Sequence, residues 1–306
     1  MPKKSLLLLC ILCITLFSKA QTVNSQRYKD LVFSAISIDK NLSYAPAGPQ
    51  IDKKSHFFDL YRPKGDSLTS RPLIIWMHGG GFIFGSKEAK GITIWCKSFA
   101  QRGYVCAAIN YRLAKKSSIF HLGKLQKNCY YAVQDTKSAV DYFRRHHAEY
   151  HIDPDKIILA GNSAGGFMAL QAAYSTDGEL AKAAGLNAID SKHQGVLKVA
   201  GVINFWGGIL DLNWLKNARV PIVSVLGSKD VIISPTHKNA SMYGGLDIKD
   251  RADALGIPNA LKVFDGYSHE LQKHFNPFFP GGKDTQKRWL EAGQFAADFL
   301  YQSVFK

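Results

Sequence analysis

The sequence predicts an α/β fold, a mostly parallel central sheet with helices on both faces. Three observations carry this expectation. Short Ile/Val/Leu-rich runs recur from residue 55 onward without the strict alternation of a half-exposed strand. Between them lie longer stretches whose apolar residues fall three and four apart, the period of a helix with one buried face. Strand and helix then alternate along the chain, which implies parallel strands joined by helical crossovers, with ligands expected just beyond the C-terminal ends of the strands.

Taken in order, residues 56–61 alternate more than the later runs and read as an early antiparallel strand. Residues 73–77, 104–109, 156–160, 199–205, 220–226 and 261–264 read as strands buried on both faces. Cys129, Ala132, Val133, Thr136, Ala139, Val140 and Phe143 recur at helical steps and draw one buried stripe. A second helix starts at Ser163 and carries Phe167, Leu170, Ala173 and Tyr174. The last runs from about residue 284 to the C-terminus, with Trp289, Ala292, Ala296 and Phe299 on one side. Residues 175–198 are weakly patterned and leave room for an inserted helix or small cap. No Pro/Gly/Ser linker interrupts the chain, so residues 21–306 are expected to form one domain.

The first twenty residues stand apart. A basic start, Met1 to Lys4, precedes the apolar run 5–17, which is too short to span a bilayer comfortably. Ser18-Lys19-Ala20 then places small residues where signal peptidase reads. Residues 1–20 are therefore expected to be a signal peptide, and the mature chain to be exported to the periplasm or the extracellular space, without stable membrane insertion after cleavage. Leu9 and Leu12 precede Cys10 and Cys13, where a lipid-anchor site calls for a small residue, so a lipid anchor is disfavoured. Loss of Lys3, Lys4 and Lys19 takes the net charge from +15 to +12. The remaining lysines are scattered, without a basic run or aromatic-basic interleaving, and this argues against a nucleic-acid partner. Three cysteines remain, Cys96, Cys106 and Cys129, enough for at most one bridge within the chain.

Two motifs carry chemistry. Gly161-Asn162-Ser163-Ala164-Gly165 follows the run 156–160 and opens a helix, which is the context of a G-x-S-x-G nucleophile elbow. Such a turn strains the serine backbone, and its glycines remove side chains that would clash. It leaves the Ser163 hydroxyl at a helix N-terminus, whose dipole favours developing negative charge. The second motif, His78-Gly79-Gly80-Gly81-Phe82, follows the run 73–77. Acyl transfer needs N–H donors aimed at the carbonyl oxygen as it gains charge, and bare glycine backbone supplies them. Gly80, Gly81 and Ala164 are the expected oxyanion-hole donors, while His78 reads as an anchor of the loop. His146, His147 and His151 sit at a helix end and suggest no metal site. No phosphate-cradling glycine loop occurs, and no cofactor is expected.

With these motifs in this order, the chain resembles the α/β-hydrolase superfamily, in its esterase/lipase branch with an HGGG oxyanion loop. That branch includes hormone-sensitive-lipase-like enzymes and feruloyl or acetyl esterases. Asn110-Tyr111-Arg112-Leu113 after a strand, and Ile152-Asp153-Pro154-Asp155-Lys156-Ile157 before the elbow, extend the resemblance over about residues 55–303. The resemblance implies an acid after a late strand and a histidine after the final one. Those positions fall to Asp230, after the run 220–226, and His269, after the run 261–264. Chain order is then Ser, Asp, His. Asp211 lies one strand too early, Asp265 too close to His269, and His237 and His274 lack the strand-end context. The implied activity is a serine carboxylesterase acting on small-molecule or glycan-linked esters. A serine exopeptidase-like amide hydrolase and a non-catalytic binder on the same fold remain as alternatives. Trp206 and the run 275–280 are candidates for pocket lining or for simple loop packing.

Overall fold

The structure is a computed structural model that describes residues 26–45, 55–114, 122–186, 195–237, 242–277 and 281–306. The expected signal peptide and the run 187–194 lie outside the described residues. In chain order the elements are β1 Ile36–Ser43, β2 Phe57–Pro63, β3 Arg71–Met77, α1 Lys90–Gln101 and β4 Val105–Ile109. They continue with α2 Leu122–Arg145, α3 His147–Tyr150, β5 Ile152–Asn162, α4 Ala164–Tyr174 and α5 Asp177–Ala183. The remainder are β6 Gly201–Phe205, β7 Ile222–Gly227, α6 Gly245–Leu255, β8 Asn259–Phe264 and α7 Lys283–Val304.

The eight strands form one sheet in the order β1-β2-β4-β3-β5-β6-β7-β8. β1 and β2 pair antiparallel at one edge, and every pairing from β4 through β8 is parallel. All residues of β3, β4, β6 and β7 are buried, which explains why their sequences lack alternation. Successive side chains leave opposite faces, so Leu73, Ile75 and Met77 join one core and Ile74 and Trp76 the other.

Helices α2, α4 and α6 cover the first face, and α1 and α7 the second. Every residue of the expected α2 stripe is buried, from Cys129 to Phe143. On the second face the aromatics interlock: Trp76 stacks on Trp95 at 5.3 Å, and Trp95 meets Phe205 at 4.9 Å and Trp206 at 5.8 Å. Each such pair adds about 0.5–1.5 kcal/mol beyond its area burial. Cys96, Cys106 and Cys129 are free and buried, and burial pushes all three thiols far above their ordinary range.

The sequence pattern missed β1, named no helix at α1, α3 or α6, and misplaced the ends of other elements. β1 has no fully buried residue: Ile36 and Ile38 pack on the second-face core, but a bulge between Asp39 and Leu42 sends Leu42 to the first, which cuts the alternation short. β5 begins at Ile152, earlier than residue 156, because Ile152 pairs with Arg71 before a register shift. The weakly patterned stretch after residue 175 does contain a helix, α5. It opens with a capping box in which Thr176 and Glu179 bond reciprocally. The buried Lys137–Asp177 ion pair ties it to α2.

Candidate active site

The site is built where β3 and β5 end beside each other. Ser163 sits between β5 and α4 with φ 53° and ψ −119°, a positive φ that a non-glycine residue adopts only under constraint. Its N–H donates to the Phe205 carbonyl at the end of β6 at 2.9 Å, and its carbonyl accepts from Phe167 N–H within α4. Glycine is required at position 165, because a Cβ there would collide with the Met77 carbonyl of β3. That backbone contact brings the elbow against the loop following β3.

Asp230 follows β7 and His269 follows β8. His269 Nε2 lies 2.8 Å from Ser163 Oγ, and His269 Nδ1 lies 2.7 Å from Asp230 Oδ2. Asp230 Oδ1 accepts from the N–H groups of Ile232 at 2.9 Å and Ile233 at 3.0 Å. Both the carboxylate and the imidazole are buried, and Phe275 meets the His269 ring edge-on at 4.9 Å. A carboxylate held this way can only accept, so Nδ1 carries the imidazole proton and Nε2 presents its lone pair to Ser163.

The glycine loop lies alongside. Gly79 N–H donates to Asn162 Oδ1 at 3.2 Å. The N–H groups of Gly80, Gly81 and Ala164 meet no acceptor among the described residues. Gly80 has φ +113°, and a Cβ on it would strike the Phe84 carbonyl, so the turn admits only glycine there. His78 is buried beneath the loop, with Nδ1 bonded to the Gly79 carbonyl at 2.7 Å. Tyr111 stacks on its ring at 4.3 Å and donates from its hydroxyl to the His78 carbonyl at 2.7 Å. Burial pushes the His78 imidazole down to about 4, so it stays neutral and anchors the loop.

The other candidates fall elsewhere. Asp211 caps a 3₁₀ turn through Asn213 N–H, and Asp265 accepts from Ser228 Oγ on the exposed side of the β8 turn. His237 bonds the Met242 carbonyl and stacks on Tyr243. Trp206 is 1% exposed and packs into the second-face aromatic core, at φ 40°. Phe275 does reach the site, whereas residues 278–280 lie outside the described residues.

Two contributors escaped the sequence reading. The variable position of the elbow, Asn162, secures the glycine loop, and the G-x-S-x-G pattern leaves that residue unspecified. The turn after His269 is held from α7. Glu270 and Leu271 both have φ 56°, and Trp289 Nε1 donates to the Glu270 carbonyl while Arg288 Nε donates to that of Leu271, each at 2.8 Å. Trp95 Nε1 in turn donates to the Trp289 carbonyl at 2.8 Å, so the histidine turn is anchored in the aromatic core.

Topology, elbow and loop together define an α/β-hydrolase. The BD-FAE family model matches residues 58–244, and the chain belongs to that family. A probable carboxylic ester hydrolase, LipM, of Mycobacterium tuberculosis is 26% identical over 206 residues, covering 67% of this chain and 42% of that protein. Human arylacetamide deacetylase-like 2 is 34% identical over 113 residues, 36% of this chain and 26% of that protein. The chain thus spans less than half the length of these curated relatives. The solved structure of Est2, a thermophilic esterase from Thermogutta terrifontis, superposes with a TM-score of 0.60 at 22% identity. The alignment covers 86% of this chain and 91% of that one, and it shows a shared fold.

Proposed function

We propose that the protein is a serine carboxylic-ester hydrolase working through an acyl-enzyme on Ser163. One observation carries the reading: Ser163 Oγ, both imidazole nitrogens of His269 and the Asp230 carboxylate form an unbroken relay at 2.8 and 2.7 Å. Ser163 Oγ attacks the ester carbonyl and passes its proton to His269 Nε2. Charge developing on the carbonyl oxygen is met by the unspent N–H groups of Gly80, Gly81 and Ala164. Asp230 holds the Nδ1–H tautomer and offsets the charge of the imidazolium. The imidazolium returns the proton to the leaving alcohol, and water then repeats the sequence on the acyl-enzyme. No cofactor or metal enters these steps.

The names of the relatives support ester hydrolysis. The basic, apolar and small-residue pattern of residues 1–20 supports export, and with it ester substrates outside the cytoplasm, small or glycan-linked. Purified wild type and Ser163→Ala, compared on p-nitrophenyl acetate and on aminoacyl-p-nitroanilides, test the reading. Ester turnover that vanishes in the variant is the expected result. Turnover of the anilides alone makes the protein an amidase, and turnover of neither makes it a binder. N-terminal sequencing of protein recovered outside the cytoplasm is expected to begin at Gln21.

A further inference from the structure

A cavity of about 280 Å³ flanks the relay. Its wall includes Gly79 and Gly80 of the glycine loop, Asn162, Glu270, Lys90 and Trp289. The cavity shares Gly79 and Gly80 with the glycine loop, Asn162 with the elbow and Glu270 with the histidine turn, so it borders the catalytic site along those three segments. His269 returns its proton to the leaving oxygen, which places the departing alcohol on the imidazole side, where Glu270 stands.

The polar groups of this cavity are incompletely spent. The Glu270 carboxyl, half-buried, makes one long contact, 3.4 Å from Gln272 Nε2, and no ion pair among the described residues. Asn162 uses its Oδ1 on Gly79, and its Nδ2 meets no acceptor among the described residues. Helix α1 opens here with Ala89 at its N-cap, which offers no side-chain acceptor to the first-turn N–H groups. The lining therefore combines an acceptor, Glu270, with donors, Asn162 Nδ2 and Lys90, beside the indoles of Trp95 and Trp289. Lys90 and the positive end of α1 oppose a cation, whereas a hydroxyl both donates and accepts.

We propose that Glu270 is a specificity-determining residue, whose carboxyl accepts a hydrogen bond from a second hydroxyl on the leaving alcohol. The proposal rests on the ester-hydrolase reading and extends it to the alcohol side of the substrate. Burial raises the Glu270 carboxyl above its ordinary range, with His269 pulling it down and Asp230 pushing it up, so the preference is expected to be strongest where Glu270 is ionised.

The test compares 2-hydroxyethyl acetate with its isostere propyl acetate, each kcat/KM divided by the rate of hydroxide-catalysed hydrolysis. Wild type is expected to favour the hydroxyethyl ester by about tenfold, as a hydrogen bond to a charged group allows. Glu270→Leu is expected to bring that ratio to about one, and Glu270→Gln, which keeps an acceptor, to retain part of it. Acetylcholine supplies positive charge without a donor and is expected to gain nothing from Glu270. A wild-type ratio near one, or a ratio unchanged in both variants, overturns the proposal while leaving the hydrolase reading intact. An acetylcholine preference lost in Glu270→Leu overturns it in favour of a cation site. Failure of wild type on all three esters and on p-nitrophenyl acetate sinks the hydrolase reading itself.

Discussion

Replacing Asp230 with Asn changes one atom and keeps the shape of the side chain. Asp230 Oδ1 already accepts the Ile232 and Ile233 N–H groups at 2.9 and 3.0 Å. The asparagine must keep its oxygen there, because its amide nitrogen cannot accept. Its NH₂ then faces His269 Nδ1 across the present 2.7 Å contact, donor to donor, unless the imidazole moves its proton to Nε2. That tautomer presents an N–H to Ser163 Oγ and cannot take its proton. Loss of the tautomer costs about 10⁴ in kcat in triads of this geometry, equivalent to about 5.5 kcal/mol of barrier. The assay is kcat on p-nitrophenyl acetate, corrected for active sites and paired with a thermal melt to show that the variant is folded. Asp265→Asn, on the exposed side of the β8 turn, serves as control and is expected to stay near wild type. A folded Asp230→Asn within tenfold of wild type, or a dead Asp265→Asn, refutes the assignment of the acid.

Gly80→Ala places a Cβ against the Phe84 carbonyl at φ +113°, so the loop must shift. Removal of an oxyanion donor costs about 10²–10³ in kcat, and a variant with wild-type kcat removes Gly80 from that role. Lys137→Met leaves the buried Asp177 carboxylate without its cation. Urea denaturation is expected to show a loss of about 3–5 kcal/mol, and a loss below 1 kcal/mol contradicts the pairing. His78 titrates at about 4 when folded, against an ordinary 6.5. As pH falls from 6.5 to 4 the unfolded chain binds a proton that the folded chain refuses, so stability drops by up to about 3 kcal/mol. The drop is absent above pH 6.5 and smaller in His78→Gln. Equal pH dependence of urea unfolding in the two proteins would count against it.

The parallel core was legible because its strands are buried on both faces, and β3, β4, β6 and β7 consequently read as unbroken apolar runs. The α2 stripe was legible for the complementary reason, that a one-sided helix repeats every three to four residues. β1 was not, since its apolar alternation stops after Ile38, where a bulge turns Leu42 to the other core. Ser163, Asp230 and His269 stood out because each follows a strand end, and the structure brings them into one relay. What no local pattern carries is contact between distant segments. Trp206 sits after a strand just as Asp230 does, yet it turns into the aromatic core. The hold of Trp289 on the histidine turn spans 19 residues, and the role of Asn162 depends on a loop 83 residues away.

The most direct test of the account is chemical. Protein incubated with paraoxon is digested and its peptides are mapped by mass spectrometry, wild type beside Ser163→Ala. The account predicts one diethylphosphoryl group per chain, on Ser163, with parallel loss of esterase activity and no adduct in the variant. An adduct on another residue, or full inhibition with Ser163 unmodified, would contradict it.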